Sequence, residues 1–157
     1  MLPVVIVGGG VIGAEYASIL ATMGIHVTLI ERRPRLLEFV DQETIEALQY
    51  HMRSIGVTLR FNEEVVSVER QPQEQVIVRL KSGKEIAATT VLYSVGRTGA
   101  SATLNLEAIG LEADDRGRLK VNEHYQTPLP HIYAVGDVIG YPALASTSME
   151  QGRQAVR

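Results

Sequence analysis

Apolar positions crowd the start of the chain and thin out towards its end. The run "PVVIVGGG" (residues 3–10) is apolar until it meets three glycines, the pattern of a fully buried strand. A helical stretch follows from Val11 to Met23, with Ile12, Tyr16, Ile19, Leu20 and Met23 near one face, and Gly24 suits its C-terminal turn. "IHVTLIE" (25–31) reads as a second strand. Asp41 can cap a second helix that carries Ile45, Leu48, Met52 and Ile55 and ends at Gly56. "VTLRF" (57–61) is a third strand. This β-α-β-α-β order with short links predicts a Rossmann-like α/β fold, a doubly wound parallel sheet.

The pattern changes after residue 62. Residues 63–96 hold β-branched runs separated by "RQPQEQ" and "KSGK". Those are turn signals, and they predict an antiparallel β-meander in place of a crossover helix. "TVLYSVG" (90–96) then reads as a buried strand returning to the main sheet. "GRTGASA" (96–102) reads as a boundary, which divides the chain into residues 1–98 and 99–157. Beyond it the sequence predicts a turn at "DDRGR", an extended "LKVNE", one strand at "HIYAVGD" and a helical "ALASTSMEQGRQAVR" that stops mid-pattern. The chain is expected to begin and end inside a larger protein.

Composition narrows the possible chemistry. The chain has 157 residues, of which 45% are hydrophobic, with a formal net charge of −3. That balance gives no broad pull towards nucleic acid or an anionic membrane, and no apolar run nears the roughly 20 residues that span a bilayer. No signal peptide is visible, and cytoplasmic placement is expected. There is no cysteine, so no redox dithiol or zinc site lies within these residues. His26, His51, His124 and His131 share no ligand spacing, and no metal site is expected.

The sharpest motif is Gly8-x-Gly10-x-x-Gly13, directly after a strand and opening a helix. The first glycine allows a tight turn, the second lets backbone approach a pyrophosphate, and the third lets helix and strand pack closely. The helix N-terminus presents N–H groups and partial positive charge to phosphates. Glu31 ends the second strand about 20 residues on, where a carboxylate can accept both ribose hydroxyls. It would repel a 2′-phosphate and so favours NAD. Arg32, Arg33 and Arg35 oppose that preference, because a guanidinium can grip a phosphate, unless they are only a solvated loop. Asp137 closes "TPLPHIYAVGD", where an acid beside a helix start can hydrogen-bond a polyol or merely cap a turn.

Together these segments resemble the flavoproteins with two dinucleotide-binding domains, the pyridine nucleotide-disulfide oxidoreductases. "GGGVIGAEYA" is similar to that family's NAD(P) fingerprint, "YSVGR" to the strand end closing the NAD(P) domain, and "TPLPHIYAVGD" to its second FAD fingerprint. Within the family, "ERRPRLLEFVDQE", "GRTG", "RGRLKVNEHYQT" and "YAVGDVIGYPALASTSMEQGR" are most similar to the soluble pyridine nucleotide transhydrogenases. Dihydrolipoamide dehydrogenases usually differ at "GRTGA" and at Ala145-Ser146-Thr147.

The resemblance implies an NAD(P)-binding domain at 1–98 and an incomplete C-terminal piece of an FAD-binding domain at 99–157. It implies that Gly8, Gly9, Gly10, Val11, Ile12 and Gly13 hold the pyrophosphate and that Glu31, Arg32 and Arg33 meet the adenosine ribose. Val65 is expected on the adenine side and Gly96 near the nicotinamide. Glu15 is expected near the flavin, where it pairs with a lysine outside this chain; its alternative role is a favourable charge in the first helical turn. Asp137 is expected on the FAD ribitol, with Ala143, Leu144, Ala145 and Ser146 close to the isoalloxazine. The implied cofactors are NAD, NADP and FAD, and the implied activity is hydride transfer between NADPH and NAD+ through the flavin. The fragment alone is expected to be inactive. Its expected partners are the nicotinamide dinucleotides and the rest of its own FAD and dimerisation domains, with homo-oligomerisation of the intact protein. Dihydrolipoamide dehydrogenase or a related disulfide reductase is the alternative enzyme, and a non-catalytic NAD(P)-sensing module is the alternative outside enzymology.

Overall fold

The computed structural model describes residues 2–72 and 74–157. They form two compact units, residues 1–96 and 97–157, each described separately.

In the first unit β1 (Val4–Val7), β2 (Val27–Ile30) and β3 (Val57–Arg60) alternate with α1 (Val11–Thr22) and α2 (Gln42–Ser54). Three further strands, β4 (Val65–Gln71), β5 (Gln75–Leu80) and β6 (Glu85–Ala88), precede β7 (Thr90–Tyr93). The parallel sheet runs β3-β2-β1-β7, so the order reverses at β1. The antiparallel meander β4-β5-β6 forms a second sheet, with a bulge between Val65 and Ser67.

Both sheet faces are buried, which is why β1 is continuously apolar and β2 is apolar except at Thr28. Side chains alternate between the faces. Ile6, Val27 and Leu29 meet Ala17 and Ala21 of α1 and Ile45 and Met52 of α2. Val5, Val7 and Ile30 meet Val78, Leu80 and Ala88 of the meander. Each such large side chain contributes about 1.5–3 kcal/mol by leaving water. The meander thus covers the face that a crossover helix would otherwise cover.

Two expectations change. On α1 the buried face is Gly13, Ala14, Ala17 and Ala21, while Tyr16, Ile19 and Met23 are exposed. Contact between α1 and the glycine turn admits only small residues, because a Cβ on Gly13 would collide with the Gly8 carbonyl oxygen. The strand β7 is half-buried and lies at the edge of the sheet, with Tyr93 exposed, so it is not a buried strand. The second helix matches its sequence pattern. The Asp41 carboxylate accepts the Thr44 N–H at 3.1 Å, and Gly56 follows the helix at φ +94°.

The second unit is mostly irregular. It holds a 3₁₀ turn at Leu106–Ile109, another at Gly136–Ile139, and α3 (Ala145–Ala155). The "DDRGR" turn is organised by Asp114, whose carboxylate accepts the Arg116 and Arg118 N–H groups and the Arg118 side chain. The Arg118 hydrogen bond leads the causes that draw this carboxyl down to about 2. "HIYAVGD" forms no strand. It makes one bridge, Gln126 to Tyr133, because a strand needs a continuous row of partners.

Candidate dinucleotide site

The register places the site. Val7 lies opposite Ile30 and Tyr93, and Ile30 lies opposite Arg60. Gly8, Glu31 and Ser94 therefore follow at one level, at the C-terminal ends of three strands. This is where ligands bind in open α/β sheets, beside the point where strand order reverses.

The three motif glycines differ in their surroundings. Gly8 turns the chain at φ +106°, and a Cβ there would stand 2.6 Å from the Ser94 carbonyl oxygen. Gly13 allows α1 to touch the turn. Gly10 caps α1 in extended geometry without a side-chain hydrogen bond, and open space surrounds the place a Cβ would take. Val11 is exposed and Ile12 half-buried in the first helical turn. The first N–H groups of a helix lack intrahelical partners, so this end can receive an anion.

Gly9 has a different task. Its N–H donates to Glu31 Oε2 at 2.5 Å, and its carbonyl accepts the Leu37 N–H at 3.2 Å. A Cβ on Gly9 would stand 2.6 Å from Leu36 Cδ2. The middle glycine thus joins the turn to both β2 and the loop after it.

Glu31 is buried, with 6% of its surface exposed. Its Oε1 accepts the Arg33 N–H at 2.9 Å and Arg33 Nε at 3.0 Å, and its Oε2 accepts Arg33 Nη2 at 3.0 Å. Burial opposes its ionisation. The Arg33 side chain, the Arg33 and Gly9 N–H groups and the Arg33 charge outweigh that, and the carboxyl lies below its ordinary range. Arg33 is raised by the same bond to Glu31. Arg32 is exposed, while Arg35 donates from Nη2 to the Glu38 carbonyl at 3.1 Å.

Sequence reasoning missed several supporting groups. Ser94 Oγ donates to the Val7 carbonyl at 2.9 Å and lies 3.3 Å from that of Gly8, bracing the turn. Glu63 is also buried; its N–H donates to the Glu31 carbonyl at 3.2 Å and its carboxylate accepts Lys84 Nζ at 2.6 Å. Glu38 Oε2 lies 3.7 Å from Arg33 Nη1. No local motif marks these residues, since each acts across a gap in sequence.

The remaining candidates are more scattered. Val65 opens β4 and packs, half-buried, against the meander-side core. Gly96 is exposed at φ +141°. Glu15 is exposed on α1 and falls after the first turn, which contains no acid, so the first-turn dipole role does not apply to it. In the second unit Asp137 lies on a 3₁₀ turn, 3.4 Å from Arg97 Nη1, and Ala143 to Ser146 lead into α3. The buried side-chain oxygen of Gln151 accepts the Gly136 N–H at 2.7 Å, which ties that turn to α3. No group of three or more His, Asp or Glu side chains among the described residues is placed to hold a metal.

Over residues 1–152 the sequence matches the family described as pyridine nucleotide-disulphide oxidoreductase. The chain belongs to that family. Its curated relatives include the soluble pyridine nucleotide transhydrogenase of Chromohalobacter salexigens, 54% identical over 96% of this chain. The protein of the same name from Klebsiella pneumoniae is 56% identical over 98% of it. The chain spans about a third of the length of these relatives, 32% and 33% respectively. Among solved structures, LpdA from Mycobacterium tuberculosis superposes with a TM-score of 0.90 at 30% identity, covering 99% of this chain and 34% of that one. The HOCl-induced flavoprotein disulfide reductase RclA from Escherichia coli, as its Cu(II) complex, gives 0.89 at 30%, covering 97% and 34%.

Proposed function

We propose that this chain supplies the nicotinamide-dinucleotide site, residues 1–98, and part of the FAD site, residues 99–157, of a flavin-dependent NAD(P) transhydrogenase. The observation that carries the proposal is the convergence of the α1 N-terminus and the Glu31 carboxylate on one end of the parallel sheet. The α1 N-terminus is open at Gly10, and Glu31 with its Arg33 partner stands at the ribose-facing end, so the residues present fit an adenine dinucleotide. Gly8 to Gly13 bind the pyrophosphate; Glu31, Arg32 and Arg33 orient the ribose; Val65 borders the adenine and Gly96 the nicotinamide.

In the second unit Asp137 and the start of α3 offer the FAD an acid and a helix N-terminus. Gly136 stands at φ +78°, a backbone state that side chains rarely adopt, and it aims the turn that carries Asp137. Bound nicotinamide and flavin supply the hydride chemistry; the chain contributes position and charge. Catalysis belongs to the full-length flavoprotein, a homo-oligomer of the cytoplasm in this reading. No helix among the described residues is long and apolar enough to cross a membrane.

Identity of 54–56% to the two transhydrogenases, against 30% to the flavoprotein disulfide reductase RclA, supports the transhydrogenase reading. The test has two parts. Calorimetric titration of the chain with NADH and NADPH is expected to show binding of both. The full-length protein is expected to carry flavin and to reduce an NAD+ analogue with NADPH. A full-length protein that reduces disulfides or lipoamide, and transfers no hydride between nucleotides, would establish the reductase reading.

A further inference from the structure

We propose that Glu38 sets the choice between a 2′-hydroxyl and a 2′-phosphate nucleotide by offering Arg33 an alternative partner. The inference rests on the dinucleotide reading above. It starts from the saturation of Glu31. A carboxylate offers about four lone-pair sites. Here four donors fill them: the N–H groups of Gly9 and Arg33, and Nε and Nη2 of Arg33. Ribose hydroxyls reach Glu31 only by displacing one of these donors.

The two backbone donors are fixed. Gly9 is held by its packing on Leu36 and by the bond from Leu37 to its carbonyl, and the Arg33 N–H lies two residues from Glu31. The guanidinium is the donor free to move. It has somewhere to go, because Glu38 Oε2 already stands 3.7 Å from Nη1. The loop holds Glu38 at that distance. Leu36 is fully buried, the Leu37 N–H binds Gly9, and Arg35 binds the Glu38 carbonyl.

Two consequences follow. When a ribose diol takes Glu31, Arg33 turns to Glu38 and keeps an ion pair, so releasing Glu31 costs less. When a 2′-phosphate enters, it must compete with Glu38 for the same guanidinium. Glu38 therefore helps NAD(H) and opposes NADP(H). Glu38 is a positioning residue, since it acts through Arg33. Its contribution is modest because both groups are partly exposed.

The test is a double-mutant cycle on the whole chain, titrated with NAD+ and NADP+. Glu38→Gln is expected to weaken NAD+ and tighten NADP+, moving their affinity ratio by up to about fivefold, the upper end for a partly exposed ion pair. In an Arg33→Ala background the same substitution is expected to leave the ratio unmoved. An equal change for both nucleotides would overturn the proposal. So would an effect that survives without Arg33, since that marks direct repulsion between Glu38 and phosphate. If the unaltered chain binds neither nucleotide, the dinucleotide reading fails and takes this inference with it. If it binds both but Glu38→Gln leaves the ratio unchanged, only this inference fails. Thermal melts verify folding of each variant.

Discussion

The guanidinium of Arg33 grips the buried carboxylate of Glu31 at two points, Nε on Oε1 and Nη2 on Oε2, both at 3.0 Å. An acid that signals NAD and a base that signals NADP are therefore joined in one closed ion pair. Bidentate pairing of this kind fixes orientation as well as charge.

That pair makes stability depend on pH. Glu31 lies below its ordinary range in the folded chain, so its contribution is present above the unfolded carboxyl value, about 4.3. It is lost as pH falls through the lower, folded value. Removing Arg33 leaves burial, which pushes the carboxyl upward, with less to oppose it. Arg33→Met is expected to move the acid-unfolding midpoint to higher pH. Circular dichroism across pH 2–7, with both variants at one ionic strength, reads the shift.

The motif glycines separate binding from folding. Gly10 has open space where a Cβ would go, and Gly13 has the Gly8 carbonyl. Gly10→Val is expected to lose less stability than Gly13→Ala, only the difference between glycine and valine as a helix cap, and to lose at least tenfold in dinucleotide affinity, about 1.4 kcal/mol. Gly13→Ala is expected to lose about 3 kcal/mol of stability, the upper range for forcing atoms into a packed site. Thermal melts and calorimetric titration of both variants check this. Equal stability loss in the two would contradict the assignment.

Leu36 couples the core to the loop that carries Glu38. It is fully buried beside Gly9 and belongs to the helix-side core. Leu36→Ala is expected to cost about 2–5 kcal/mol in urea unfolding, as for other buried leucines cut to alanine. Hydrogen exchange at the Leu37 N–H, which binds Gly9, is expected to quicken more than exchange in β1.

In the second unit Gln151 holds the Gly136 N–H. Replacing it with leucine leaves a buried donor unsatisfied, at a cost of about 1–3 kcal/mol. Gln151→Leu is expected to raise exchange at Gly136. In the full-length protein it is expected to weaken flavin retention through the displaced Asp137 turn, and flavin absorbance after gel filtration reads that loss.

Local rules made much of the site legible in advance. A strand running into Gly8-x-Gly10-x-x-Gly13, with Glu31 closing the next strand, carries its geometry in periodicity and spacing. The Asp41 cap, the Gly24 and Gly56 helix stops and the meander between residues 63 and 89 are equally local, because turn residues and alternation act within a few positions. The misreadings came from contacts that are not local. Helical periodicity grouped Tyr16 and Ile19 near one apolar face, yet both are exposed, and the approach of Gly13 to Gly8 decided that alanines face the sheet. "HIYAVGD" had strand composition, yet strands depend on partners elsewhere in the chain.

The sequence by itself determined the parallel sheet, the glycine turn at its end and the opposed charges at Glu31 and Arg33, since these follow from residue type and near-neighbour spacing. Only tertiary structure decided how those charges are spent. The Gly9 N–H reaches Glu31 across 22 positions, Ser94 braces a turn some 86 residues away, and Leu36 anchors the loop after β2 in the core. Those links arise from strand register and core packing, which bring together residues that no local pattern connects.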